Sequence, residues 1–130
     1  MTTGVERQAQ ALLHKADDYI TMLQWEGAPD APFGFHVQQA IEKSLKALLC
    51  QLRLEFNFTH DLEHLVLLLT AAGEQLPDSL SNLKEIGVYA VTHRYDDVPE
   101  FQVLDRVQAL ETVRTLRAFM LQRISALSAL

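Results

Sequence analysis

The chain has 130 residues, of which 48% are hydrophobic and 22% charged, and its formal net charge is −6. These values are typical of one globular domain, not of a disordered chain. The acidic net charge argues against binding of nucleic acid or anionic membrane over a broad surface. A chain of this net charge can still contain one local basic patch.

Cysteine content and hydropathy indicate a protein of the cytoplasm. Cys50 is the single cysteine, so an internal disulfide is excluded and a reducing compartment is the simplest expectation. The N-terminal segment MTTGVERQAQ lacks the apolar core and cleavage pattern of a signal peptide. No apolar run approaches the roughly 20 residues that a membrane-spanning helix requires. We therefore expect one cytoplasmic domain over residues 1–130, without contact with a membrane.

The first two predicted helices flank a turn at residues 26–32. Apolar residues recur at steps of three and four between residues 5 and 23, which predicts a first helix of about five turns. The turn EGAPDAP, with one glycine and two prolines, ends that helix. A second helix is predicted over about residues 33–53. Its apolar stripe consists of Val37, Ile41, Leu45, Leu48 and Leu52.

Three more helices are predicted in the second half of the chain. Thr59 is the expected N-cap of the third helix, which Gly73 ends. A fourth is predicted over about residues 79–94, before the interrupting segment YDDVPE, and a last one over about residues 103–126. Because neither a strand pattern nor a repeat occurs and the connections are short, the sequence predicts an all-α, up-and-down bundle of about five helices.

The second predicted helix bears a band of polar residues beside its apolar stripe. At 100° per residue, His36, Gln39, Lys43 and Lys46 span roughly 80° of the helix surface. The band contains no acid, and Glu42 lies at its far edge. Such a row of donors suits an anion or a phosphate. Two alternatives remain open, namely a face that meets water and a face that meets a second subunit.

The motif HDLEH at residues 60–64 matches the H-x-x-E-H pattern of inverted zinc metallopeptidases. On one helix, His60 and His64 would share a face and Glu63 would be the candidate base. A catalytic zinc also needs a third protein ligand and a walled cleft, and the sequence indicates neither. We therefore expect no metal site and no cofactor.

Two further features have structural interpretations. Asp17 and Asp18 are adjacent, so on a helix they point apart and cannot form a carboxylate dyad, and we interpret them as solvated charge. Cys50 is interpreted as a small residue at a helix contact.

Four segments together resemble the HEPN family of small all-helical domains. They are LLHKADDYI, FHVQQAIEKSLKALL, THDLEHLVLLL and YAVTHRYDD, and the likeness runs from about residue 5 to 125. The second and third segments, in this order and at this separation, are fairly specific. The resemblance implies a homodimer with a role in nucleotide or RNA metabolism, paired with a separate small nucleotidyltransferase in the manner of a toxin–antitoxin system.

The ribonuclease motif of the family is not found. Family ribonucleases carry an arginine, four to six residues and then a histidine near the end of a central helix. Here Arg94 is followed by YDDVPEFQ, without a histidine in range. Arg53 precedes His60 at a suitable spacing, but that pair spans a predicted loop. The Arg-x4-His-x-Tyr form of toxin members is absent as well, so no catalytic residue is assigned.

The predicted ligand site joins the second, third and fourth helices. By the resemblance, Lys43 and Arg94 neutralise phosphate, Gln39 and His60 donate hydrogen bonds, and Tyr95 stacks on a base. The complete set is His36, Gln39, Lys43, Lys46, His60, Arg94 and Tyr95. The first hypothesis is thus a non-catalytic, nucleotide-binding HEPN homodimer. The alternatives are a metal-independent ribonuclease with an atypical set such as His93 and Arg94, and a pure protein-interaction module.

Overall fold

The computed structural model describes residues 3–56, 59–80, 83 and 105–128. Over these ranges the chain forms four α-helices, one short 3-10 helix and no strand. The helices are α1 (Gly4–Leu23), α2 (Asp30–Gln51), α3 (Leu62–Ala71) and α4 (Arg106–Ser128), with the 3-10 helix at Asp78–Leu80. The predicted all-α fold is confirmed. The helix predicted over residues 79–94 lies outside the described residues, apart from Ser79, Leu80 and Leu83, and both leucines are buried.

Helix α1 begins where a reciprocal cap satisfies its first amide groups. The Thr3 hydroxyl accepts from the Glu6 amide, and the Glu6 carboxylate accepts from the Thr3 amide, each at 3.1 Å. The buried residues then follow the predicted helical spacing, and they are Ala9, Leu13, Ala16, Ile20 and Leu23. The face predicted for the last helix is also confirmed: Ala109, Val113, Leu116, Met120 and Ile124 of α4 are all buried.

Helix α2 is the centre of the bundle, since it packs against α1, α3 and α4. Residues 40–49 are buried with the one exception of Lys43. Of the interpretations left open for the polar side of α2, a face that simply meets water does not fit this stretch. Its polar residues must find partners inside the protein, because an unpaired polar group in an apolar interior is costly.

Contacts at both ends of α1 and α2 fix the relative direction of these two helices. Cys50, near the end of α2, donates to the Gln8 side chain of α1 at 3.5 Å, while Tyr19 and His36 meet at the other end of the pair. Helices α1 and α2 are thus antiparallel. These contacts with α1 confirm Cys50 as a helix-contact residue, and burial raises the pKa of its thiol.

Helix α4 is joined to α1 by a two-pronged ion pair. The Arg117 guanidinium donates from Nε and Nη2 to the two carboxylate oxygens of Asp17, at 2.8 and 2.9 Å. The interpretation of Asp17 as solvated charge is therefore wrong, whereas its neighbour Asp18 is exposed. The pairing partner lies 100 residues away in the sequence, so no local pattern indicates it.

Two other arginines secure the ends of α4. Arg106 pairs with Asp30 in the first turn of α2, and its guanidinium lies 4.6 Å from the centre of the Phe33 ring. Near the other end, Arg123 forms hydrogen bonds to both oxygens of Glu74, the shortest at 2.8 Å. These bonds raise the pKa of Arg123. Through Asp30, Asp17 and Glu74, α4 is tied to α2, to α1 and to the segment that follows α3.

Two helix starts differ from the predictions for local reasons. Helix α2 begins at Asp30, because Pro32 falls in the first turn, where a missing N–H costs nothing. Helix α3 begins at Leu62, because Asp61 and not Thr59 is the N-cap. The Asp61 carboxylate accepts from the backbone amides of Glu63 and His64, and the bond to Glu63 measures 3.0 Å.

Helices α2 and α3 end in the same backbone motif with different residues. In each, the residue after the C-cap has positive φ and its successor donates to a carbonyl five residues back: Leu54 to Leu49 and Glu74 to Leu69, both at 3.0 Å. The left-handed residue is Gly73 (φ 90°) in α3 but Arg53 (φ 59°) in α2. An L-residue in this conformation is strained, whereas glycine is not.

We expect Arg53→Gly to raise the free energy of unfolding by about 0.5–1 kcal/mol, the relief of left-handed strain less the entropy cost of glycine. Gly73→Ala should lower it by about 1 kcal/mol, since a Cβ there meets no atom within 4 Å and only the backbone conformation opposes it. Urea denaturation at one protein concentration measures both. Equal destabilisation by the two changes would contradict the shared motif.

Candidate functional site

The candidate site is built around one buried carboxylate, that of Glu42 in α2. Its side chain is fully buried, and both oxygens are engaged. Oε2 accepts from Nζ of Lys46 at 3.3 Å and from Nζ of Lys43 at 3.5 Å. Oε1 accepts from Nδ1 of His60 at 3.0 Å. Three of the predicted ligand-binding residues therefore converge, but they do so on an acid that the prediction placed outside the band.

Lys46 lies inside the protein. Its side chain is 7% exposed, it follows Glu42 by one helical turn, and its ammonium lies 5.4 Å from the centre of the Phe56 ring. A charge at this depth is tolerated because a carboxylate and an aromatic face compensate for the lost water. Lys46 therefore does not lie on a solvent-facing side of α2, and its partner is an acid of the same helix. It supplies positive charge from beneath the surface.

The groups of the cluster that reach solvent are Lys43 and His60, whose side chains are 19% and 68% exposed. Two ammonium groups face one carboxylate, which leaves one positive charge in excess even with a neutral imidazole. This excess lies on a chain of net charge −6. The site therefore offers an anion a local attraction that the overall composition does not indicate.

The contact with Glu42 also orients the His60 ring. A carboxylate can only accept, so Nδ1 carries the hydrogen of this bond and Nε2 is the second polar atom of a largely exposed ring. In the neutral ring Nε2 accepts a hydrogen bond. In the protonated ring it donates one, and an imidazolium can then bind an anion.

The zinc interpretation of HDLEH requires both histidines on one helix, and α3 begins only after His60. His60 precedes the N-cap Asp61, so it does not share a helix face with His64. Its Nδ1 is bound to Glu42 instead. In the described ranges, no three His, Cys, Asp or Glu side chains group in a way that could hold a metal ion.

The other end of the predicted band lies in an aromatic cluster. The ring of His36 is 5.8 Å from that of Tyr19 and 5.6 Å from that of Phe35, and the last two rings are 6.2 Å apart. All three side chains are half-buried, as is Gln39 one turn further along α2. Burial lowers the pKa of His36, which keeps its imidazole uncharged near neutral pH.

His93, Arg94 and Tyr95 lie outside the described residues. Their meeting with Lys43 in one cleft stays a prediction.

Comparison with known proteins identifies the fold around this cluster. The family model of the HEPN domain matches residues 7–124, nearly the whole chain. The chain belongs to the HEPN family. No curated protein and no solved structure gives a significant match. Membership of the HEPN family supports a nucleotide-related or ribonuclease-like function in general. In the described part of this HEPN domain, no helix is long and apolar enough to cross a membrane.

Sequence reasoning missed Glu42 as the centre of this HEPN site, although one local signal was present. Glu42 and Lys46 are four residues apart in the order that favours an ion pair on a helix. The apolar residues on both sides of them indicate a helix buried all round, in which such a pair would have to be internal. The contribution of His60 has no comparable signal, since it comes from a loop 18 residues later.

The HEPN domain also has a cavity of about 500 Å³ between α2, α3 and the segment that follows α3. Its lining includes Ile41, Leu45, Leu62, Val66 and Leu67. The charged groups at its wall are carboxylates: Glu63, Glu74 and Asp78. Among the described lining residues there is no lysine, arginine or histidine, so the field in this cavity disfavours a phosphate. Charge therefore assigns an anionic ligand to the Glu42 cluster and not to the larger cavity.

We expect Glu42→Gln to destabilise this HEPN domain by about 3–5 kcal/mol, because it leaves the Lys46 ammonium buried without a counter-charge. The double change Glu42→Gln/Lys46→Met should lower the free energy of unfolding by less, since no unpaired charge remains inside the protein. The matched control is Glu111→Gln on the exposed side of α4, with a change within about 0.5 kcal/mol. Urea denaturation of the four proteins provides the comparison. A double variant less stable than Glu42→Gln would show that the two side chains do not act as a pair.

Proposed function

We propose that this HEPN domain binds a nucleotide through its phosphate groups at Lys43 and His60, and that it does so without catalysing a reaction. The observation that carries the proposal is the convergence of Lys43, Lys46 and His60 on the buried carboxylate of Glu42. The carboxylate holds the donors in place, and the second lysine outweighs its charge. A phosphate needs both properties, fixed donors and a net positive field.

Lys43 and His60 contact the same carboxylate, and both reach solvent. Lys43 Nζ and His60 Nδ1 contact the two oxygens of one carboxylate at 3.5 and 3.0 Å. The other ammonium hydrogens of Lys43 and Nε2 of His60 are the groups that remain to contact a phosphate. The lysine ammonium is a compact point charge, which accommodates phosphate oxygens in several orientations.

We extend the proposal to the assembly. We propose that the domain forms a homodimer and acts with a separate nucleotidyltransferase, as a toxin–antitoxin-like pair, on the ground of the resemblance that its four sequence segments carry. Arg94 and Tyr95 are proposed to complete the site, the arginine by a bidentate contact to phosphate and the tyrosine by stacking on the base. Lys46 is proposed to act from inside the protein, without direct contact with the ligand.

A ribonuclease is the second candidate, and one observation favours it. A buried carboxylate that fixes the tautomer of an exposed histidine is an arrangement that general acid–base chemistry uses, and Glu42 and His60 have this relation. We expect purified tRNA and mRNA to remain intact in the presence of the protein, because the ribonuclease motif of the family is absent. Cleavage that His60→Ala abolishes would replace the binding proposal with the catalytic one.

Calorimetric titration with ATP, AMP and GTP tests the nucleotide proposal. We expect binding in the millimolar range or tighter, and Lys43→Ala should weaken it roughly tenfold, the value of one charge-assisted hydrogen bond. His60→Ala should also weaken it, because the hydrogen-bonding atom Nε2 of the ring is lost.

Arg114→Ala is the matched control, since Arg114 is exposed on α4 and its removal changes the net charge equally. It should leave the affinity unchanged. An absence of binding at millimolar nucleotide, or equal effects of Lys43→Ala and Arg114→Ala, would refute the proposal.

A further inference from the structure

We propose that the aromatic cluster of Tyr19, Phe35 and His36 is a nucleobase subsite, so that a nucleotide lies along α2 with its base at His36 and its phosphates at Lys43. This inference rests on the proposed function and adds to it the part of the ligand that gives selectivity.

The exposure of α2 defines a narrow strip between these two ends. Over residues 35–43, the partly exposed positions are Phe35, His36, Gln39 and Lys43. The five other residues of this stretch are buried. The helix therefore offers solvent an aromatic end, an amide in the middle and an ammonium at the other end. A nucleotide presents the same sequence of chemical groups: a flat base, a hydroxylated sugar and a phosphate chain.

The length of the strip is also suitable. His36 and Lys43 are seven residues apart, which places them about 10 Å from each other along the helix axis and within roughly 20° of the same side. Gln39 lies between them, where its side chain can donate to or accept from a base edge or a ribose hydroxyl. The span matches a mononucleotide with a short phosphate chain, and it is too long for inorganic phosphate to contact both ends.

The character of His36 decides which end of the nucleotide it receives. Burial lowers its pKa, so at neutral pH the ring is uncharged and offers a phosphate no attraction beyond one hydrogen bond. An uncharged ring that already packs on Tyr19 at 5.8 Å and on Phe35 at 5.6 Å can extend the stack to a base. The sequence-based role of His36 as one more donor in a phosphate-binding row is thereby changed to stacking.

The test compares ligands that share phosphates but differ in the base. Binding of ATP and of inorganic triphosphate is measured by calorimetry with wild-type protein and with His36→Leu, His36→Phe and Lys43→Ala. We expect wild type to bind ATP roughly tenfold more tightly than triphosphate, the usual contribution of one stacked base. His36→Leu should abolish this preference and leave the triphosphate affinity unchanged. His36→Phe, which keeps a ring, should retain the preference.

Lys43→Ala should lower the affinity for both ATP and triphosphate, and this result separates the two proposals. Equal affinity for ATP and triphosphate, or an ATP preference that survives in His36→Leu, overturns the base subsite and leaves the phosphate site intact. Failure of both ligands to bind overturns both proposals. A second readout does not depend on affinity: the ring-proton resonances of His36 should move upfield when ATP is added, but not when triphosphate is added. Unchanged ring resonances at saturating ATP would also overturn the subsite.

Discussion

The burial of α2 on nearly all sides is the constraint on which the rest of this structure depends. A helix enclosed by α1, α3 and α4 cannot keep its charged residues in water, so Glu42 must be neutralised within the protein. Lys46 does this from the next turn of the same helix, and His60 adds a hydrogen bond from the loop that leads into α3. The start of α3 is thus fixed to the middle of α2 by a hydrogen bond as well as by apolar packing.

The same pairing connects the stability of the fold with its candidate function. The carboxylate that stabilises the buried Lys46 also holds Lys43 and orients His60, so the donors are in place before a ligand arrives. Preorganised donors cost a ligand less entropy than side chains that must be ordered on binding. Loss of Glu42 would therefore affect binding and folding together, whereas loss of Lys43, at the surface, would affect binding alone.

The distribution of charge explains how an acidic chain can contain a site for an anion. The arginines of α4 that pair with Asp17, Asp30 and Glu74 serve to hold helices together, and each is neutralised by its partner. At Glu42 two lysines share one carboxylate, which leaves a surplus of one positive charge. The acidic groups at the wall of the 500 Å³ cavity have the opposite effect. A net charge of −6 is thus compatible with a positive site, because the field at a few ångströms depends on the nearest groups.

The sequence by itself determined the all-α fold, most of the core residues of the described helices and the placing of His36, Gln39 and Lys43 on one side of α2, because helical periodicity is a local property of neighbouring residues. It also carried the HEPN motifs that the family comparison confirmed. Only the tertiary structure decided that Lys46 is internal, that His60 binds Glu42 across 18 residues and that Asp17 binds Arg117 across 100. The reason is physical: burial of a charged residue and the identity of its partner depend on which helices surround it, and a spacing pattern along one helix contains no information about its neighbours.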